Sequence, residues 1–246
     1  MHTLRLNFFT WCQQNVNYYS QCNFSPTHTD ILTASNSPAR KALKIVRVFS
    51  KGIERKDFPG PNENTVVFRH IRSDTKCGSK YQDYALHYLV RKANSKISEM
   101  EAEFAQLHRE NKIPSIRKRI EYITLVHDTE LAVLKNNVDI VLCTCNEASS
   151  HRIMRSVRPT YCIIDECAMA TEPECMVPIR LAEHVVLIGD HNQLQPVLSN
   201  RDAQQMGLGK SLFERYVDKS VKPHMLQIQY RMVSIFQERD LGILPL

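Results

Sequence analysis

Two adjacent carboxylates, Asp165 and Glu166, follow the apolar run Tyr161-Cys-Ile-Ile164. Such a run delivers both acids to the end of a strand. One carboxylate there can help hold a Mg²⁺ that neutralises phosphate oxygens. The second, aimed slightly elsewhere, can orient or deprotonate a water. A strand that merely leaves its sheet through two acids has the same string, so the pair gains meaning from its companions. In Val186-Leu-Ile188-Gly189-Asp190-His191-Asn192-Gln193, a second apolar run ends at a glycine that permits a tight exit. It presents Asp190 and Gln193, and the Gln193 amide can donate to a γ-phosphate or position water; Pro196 follows shortly. A third string, Leu226-Gln-Ile-Gln-Tyr230-Arg231-Met232, sets a guanidinium beside an aromatic ring. That combination offers charge for a phosphate and a flat face for a base.

The elements that must position these residues are read from apolar patterning. The runs 139–144, 161–164 and 184–188 are short, continuous and apolar, which predicts strands covered on both faces. Segments with helical potential lie between them, so the fold class is α/β with a parallel sheet. The polar residues Thr144, Asp165-Glu166 and Gly189-Asp190 fall at the carboxyl ends of the strands, where such sheets carry their chemistry. Two further strands are predicted over 31–34 and 44–49, and Phe58-Pro-Gly-Pro-Asn62 breaks the chain. Residues 1–30 show no clear period. Ile97, Met100, Phe104 and Leu107 recur at helical spacing, as do Ile116, Ile120, Ile123, Leu131 and Leu134. Asn111-Lys-Ile-Pro114 separates the two sets. The pattern predicts an antiparallel helical arm over about 96–136 whose two stripes pack on each other.

Composition sets the outer bounds. The 246 residues are 43% apolar and 24% charged, as in globular proteins. No run approaches the roughly 18–20 apolar residues of a membrane span, and the first residues are too polar for a secretory segment. The expected location is intracellular, nuclear or cytoplasmic, with no membrane partner. Net charge is +6. The basic cluster Arg40, Lys41, Lys44, Arg47, Lys51, Arg55, Lys56 and the run Arg117-Lys118-Arg119 read either as phosphate-facing surface or as ordinary solvated faces. Eight cysteines include no Cys-x-x-Cys pair, so free thiols packed as small hydrophobes are expected.

Taken together, in this order and spacing, the three strings resemble motifs II, III and IV of superfamily 1 helicases of the up-frameshift type. Asp165-Glu-Cys-Ala-Met-Ala-Thr-Glu-Pro-Glu174 and Ser211-Leu-Phe-Glu-Arg-Tyr216 are most similar to the large helicases with zinc-finger domains. Val141-Leu-Cys-Thr-Cys145 resembles the family's strand before motif II, and Ile31-Leu-Thr-Ala-Ser-Asn36 its motif Ia/Ib region. The resemblance covers roughly 31–232, weakly in the helical middle. It implies an incomplete RecA-like (P-loop NTPase) sheet with a helical hairpin insertion. Residues 1–30 would be an atypical leading segment, 31–220 the first motor domain, and 221–246 the start of a truncated second. It implies ATP and Mg²⁺ as cofactors and single-stranded RNA or DNA as partner. By the same resemblance Asp165 would hold Mg²⁺ through water, and Glu166 would be the catalytic base. Gln193 would sense the γ-phosphate and Arg231 would act as an arginine finger. Asp190 and Tyr230 would lie at the nucleotide, while Ser35, Asn36, Cys143, Thr144 and Pro196 would lie at the nucleic acid.

The sequence departs from that pattern in one decisive place. It contains no G-x-x-x-x-G-K-[ST] phosphate cradle. Gly209-Lys210-Ser211 is a decoy: position 204 is Gln, and the string follows motif III instead of preceding motif II. The expectation is therefore a portion of an ATP-dependent helicase motor that is inactive alone, with the rest of a larger helicase polypeptide as a possible complement. The alternatives are a degenerate paralogue that grips single-stranded nucleic acid without turnover, and an arm that engages a protein.

Overall fold

The computed structural model describes residues 9–10, 43–61, 81–136 and 138–226. Among the described residues five strands form two parallel sheets. β1 (Phe9–Thr10) and β2 (Ile45–Arg47) flank β3 (Ile140–Leu142), in register Phe9↔Val141 and Val46↔Val141. β4 (Tyr161–Ile164) pairs with β5 (His184–Leu187), with Tyr161 opposite His184 and Ile164 opposite Leu187. The two sheets lie beside each other through β1 and β4. The predicted α/β class with parallel strands holds, and the three apolar runs each contain a strand. The 31–34 strand lies outside the described residues. β1 falls where the sequence shows no period.

Seven helices matter here: α1 (Lys51–Asp57), α2 (Leu86–Ala93), α3 (Ser95–Arg109), α4 (Ile116–Asn136), α5 (His151–Ser156), α6 (Glu172–Ile179) and α7 (Leu212–Asp218). Leu86, Val90 and Ile153 come down on Val46, Val141, Cys162 and Ile164 to form one core. Each large aliphatic side chain so buried contributes about 1.5–3 kcal/mol. β4 alternates, with Cys162 and Ile164 buried. β5 departs from the expectation of cover on both faces: Val185, Val186 and Ile188 are exposed. Among the described residues β5 pairs with β4 alone, and Leu187 at its end packs against the core.

α3 and α4 form the predicted antiparallel arm. The Asn94 side chain caps α3 by accepting from the Lys96 N–H at 3.2 Å. Phe104 meets Tyr122 edge-to-face with centroids 5.5 Å apart. Lys96 pairs with Glu121 at 2.7 Å, and Lys118 pairs with Glu103. Ile97, Met100 and Phe104 are buried as expected. The second stripe is a correction. Ile116, Ile120 and Ile123 stay exposed, because α4 turns Tyr122 toward α3 instead.

At the base of the arm a charged network is buried. Arg152 on α5, 3% exposed, donates to Glu54 Oε2 at 2.8 Å, Glu130 Oε1 at 2.9 Å and Glu147 Oε1 at 2.8 Å. It also donates to the Phe49 carbonyl at 2.6 Å. Lys51 adds a contact to Glu130 at 2.5 Å, and His87 one to Asp57 at 2.9 Å. A buried guanidinium is tolerated because its fork is filled by partners from separate segments. The network also answers part of the charge question. Lys51 takes part in it, and Arg47 stacks on Phe49 with 4.7 Å to the ring centroid, so these two members of the basic cluster have partners within the protein.

Cys145, Cys162, Cys167 and Cys175 are buried free thiols and Cys143 is half-buried. Burial pushes the Cys175 thiol up to about 11 and those of Cys162 and Cys167 to about 12. Such thiols stay protonated and inert near neutrality.

Candidate active site at the strand ends

β4 ends at Ile164, and the next two residues are the acids. Asp165 is half-buried; its Oδ1 accepts the Glu166 N–H at 3.1 Å. Glu166 is exposed and sits in the left-handed region at φ 55, ψ 36. For a non-glycine residue that conformation costs roughly 1–2 kcal/mol. Strain of this kind gathers at functional sites. The chain then enters a short helical turn, Cys167–Met169.

The β5 loop is fastened to this turn. Ile188 donates to the Ile164 carbonyl at 2.9 Å and accepts from the Cys167 N–H at 2.9 Å. Gly189 follows, where a Cβ would stand 3.0 Å from the Ala168 nitrogen and 3.2 Å from Cys167 Sγ. Glycine permits this close backbone approach without crowding, and the two loops leave the sheet side by side. α7 packs on the same turn. α6 follows it through the pairing of the Thr171 N–H with Glu174 Oε2 at 2.9 Å, the returning half of a capping box.

Asp190 turns out to hold Gln193. Its Oδ1 accepts the Asn192 N–H at 3.0 Å, and its Oδ2 accepts the Gln193 amide at 2.9 Å. These bonds hold the Asp190 carboxyl below its usual range. Gln193 is exposed and Pro196 is buried. At the end of β3, Thr144 is exposed and its Oγ1 accepts the Glu147 N–H at 3.2 Å; Cys143 is half-buried behind it. Sequence reasoning missed the next link. Arg152 holds the Glu147 carboxylate, so the buried network reaches the Thr144 turn. No sequence pattern marks Arg152. Ser35, Asn36, Tyr230 and Arg231 lie outside the described residues.

The acids fit a Mg²⁺ of the phosphate-bridged kind. Such an ion keeps several waters and needs only one or two protein carboxylates. Asp165 Oδ2 has no protein partner among the described residues, and no cluster of three or more ligating side chains is found there. The Gly209-Lys210-Ser211 string builds no cradle. Lys210 pairs with Asp218, and Ser211 is buried as the N-cap of α7, accepting from the Glu214 N–H at 3.1 Å. Among the described residues no helix is long and apolar enough to cross a membrane.

Comparison with known proteins agrees with this geometry. The AAA domain matches residues 14–201. The chain is 34% identical over 216 residues to human 3'-5' exoribonuclease HELZ2, covering 86% of the chain and 7% of that protein. It is 35% identical over 211 residues to the Drosophila melanogaster regulator of nonsense transcripts 1 homolog, covering 85% of the chain and 16% of the relative. It is 30% identical over 216 residues to mouse DNA replication ATP-dependent helicase/nuclease DNA2, covering 84% and 20%. The chain thus spans one fifth or less of each of these relatives. It belongs to the AAA-domain family to which these proteins belong, the superfamily 1 helicases of the up-frameshift type.

Proposed function

We propose that this chain carries the catalytic strand ends of an ATP-dependent RNA or DNA helicase motor and does not turn over ATP by itself. The observation that carries the reading is the coupling of two loops at one sheet edge. Asp165 and Glu166 leave β4 where Gln193 is held by Asp190 beyond β5, and Gly189 closes the gap between them. In this arrangement Asp165 would hold Mg²⁺ through water and Glu166 would take the proton of an attacking water. Gln193 would report the γ-phosphate, with Asp190 as its positioning residue. Arg231 and Tyr230 would approach from a second motor domain. The ion, when bound, supplies charge neutralisation at phosphate oxygens. No hydrolytic step is assigned to this chain alone, because its sequence contains no phosphate cradle.

Single-stranded nucleic acid would pass over the β3 end, at Cys143 and Thr144, with Ser35 and Asn36 on its backbone; Pro196, expected from the sequence at the same surface, is buried beyond β5. The absent cradle also supports a second reading, a module that binds the strand without turnover. Binding of a single-stranded RNA oligonucleotide, titrated against salt, tests the interface that both readings share. The expected result is an affinity that falls steeply with ionic strength, as counterion release requires. Binding that is absent, or flat with salt, removes both. The location is proposed to be intracellular, nuclear or cytoplasmic.

A further inference from the structure

The turn that follows β3 is held from two sides. Within the turn, the Thr144 carbonyl accepts the Ala148 N–H at 3.1 Å, and Thr144 Oγ1 accepts the Glu147 N–H at 3.2 Å. From the interior, Arg152 Nε and Nη2 both donate to Glu147 Oε1, at 3.3 and 2.8 Å. Nη2 also donates to the Phe49 carbonyl, just past the end of β2, at 2.6 Å. Nη1 is fixed on Glu54 and Glu130. One rigid planar fork therefore ties the turn to the neighbouring strand end and to the base of the arm.

This anchoring has a surface consequence. A hydroxyl has one donor hydrogen and two acceptor lone pairs. The Glu147 N–H occupies a lone pair of Thr144 and leaves the hydrogen. Thr144 is exposed, and that hydrogen meets no acceptor among the described residues. An anionic oxygen is the strongest acceptor such a donor can take. Glu147 is itself an anion three residues away, with its side chain 11% exposed. Unpaired, it would repel a phosphate; paired with Arg152, its charge is offset. We propose that Glu147 and Arg152 are positioning residues for Thr144, holding its hydroxyl ready to donate to a phosphate oxygen of a single-stranded nucleic acid. The inference rests on the reading that the strand passes over the β3 end.

The test is fluorescence anisotropy of a labelled oligouridylate with the full chain, titrated against salt. Thr144→Val keeps the side-chain shape and removes the hydroxyl. It should weaken binding about tenfold. The salt slope should not change, because that slope counts cationic contacts. Glu147→Ala leaves Arg152 its other partners, so the fold is kept, which circular dichroism checks. Removing an anion should by charge alone strengthen binding to a polyanion; released positioning should instead weaken it about fivefold. Glu147→Gln also removes the charge but keeps the oxygen that Arg152 holds, and should bind as tightly as the unmodified chain. In the Thr144→Val background, Glu147→Ala should cause no further loss. No binding, or binding flat with salt, removes the nucleic-acid reading and this proposal with it. Salt-dependent binding overturns the proposal alone if Thr144→Val leaves it unchanged, or if Glu147→Ala leaves it unchanged or strengthens it. The same holds if Glu147→Gln weakens binding as much as Glu147→Ala, or if the two losses multiply in the double variant.

Discussion

The base of the arm and the ends of β4 and β5 both concentrate charge, and they use it in opposite ways. At the base, Arg152, Glu54 and Glu130 are buried, and their bonds join segments far apart in the chain. At the strand ends, Glu166, Asp190 and Gln193 are exposed, and the bonds of Asp190 to Asn192 and Gln193 are local. Buried charges are committed to one another and fix the angle of the arm on the sheet. The exposed side chains at the strand ends lie at the surface beside a strained residue. Perturbing the first region should therefore lower stability, whereas removing an exposed side chain of the second should leave it unchanged or raise it.

The sharpest break is Arg152→Met. It strands Glu54 and Glu130 in the interior and should cost about 3–5 kcal/mol in urea denaturation. A cost below 1 kcal/mol would erase the distinction between the regions. Gly189→Val probes the seam between the two loops. Its Cβ would press on the Ala168 nitrogen at 3.0 Å, and overpacking of this kind costs about 1–3 kcal/mol. The strain at Glu166 gives the opposite sign. Glu166→Gly should leave stability equal or raise it by up to about 1 kcal/mol, because glycine adopts the left-handed region freely.

Acidity should separate the regions as well. Burial lowers the pKa of His87 from 6.5, partly offset by its bond to Asp57 and by Glu54. The folded state then resists the proton that the unfolded chain accepts. Stability is present above 6.5 and should fall as pH drops below it, read as a declining urea midpoint. The buried thiols act at the other end. Their folded values lie above 9.0, so the stability they contribute is present below that pH and is lost as pH rises through it. Replacing His87 with Gln should flatten the acid side and leave the alkaline side unchanged.

Sequence and structure agree most closely where one local pattern decides the outcome. The apolar runs before Thr144, Asp165 and Gly189 are strands because they are continuous and bounded by polar exits. Their carboxyl ends place the candidate site. Arg152 could not be read, since burial of a guanidinium depends on Glu54 and Glu130 arriving from distant segments to join the nearby Glu147. The isoleucines of α4 show why periodicity is incomplete information: it marks an apolar face without saying what covers it. β5 carries the same lesson, since a run apolar enough for an interior strand is exposed among the described residues. Asp190 was legible as a polar strand-end residue, but its hold on Gln193 is a matter of loop geometry.

The central claim is that this chain, whose proposed base is Glu166 and whose sequence contains no phosphate cradle, does not turn over ATP by itself. Phosphate release from ATP with Mg²⁺ and single-stranded RNA, compared between the full chain and Glu166→Gln, tests it most directly. The account expects no turnover above background in either, with both proteins folded. Sustained turnover by the unmodified chain that Glu166→Gln abolishes would contradict it, and would mean that phosphates are held by residues outside the cradle string.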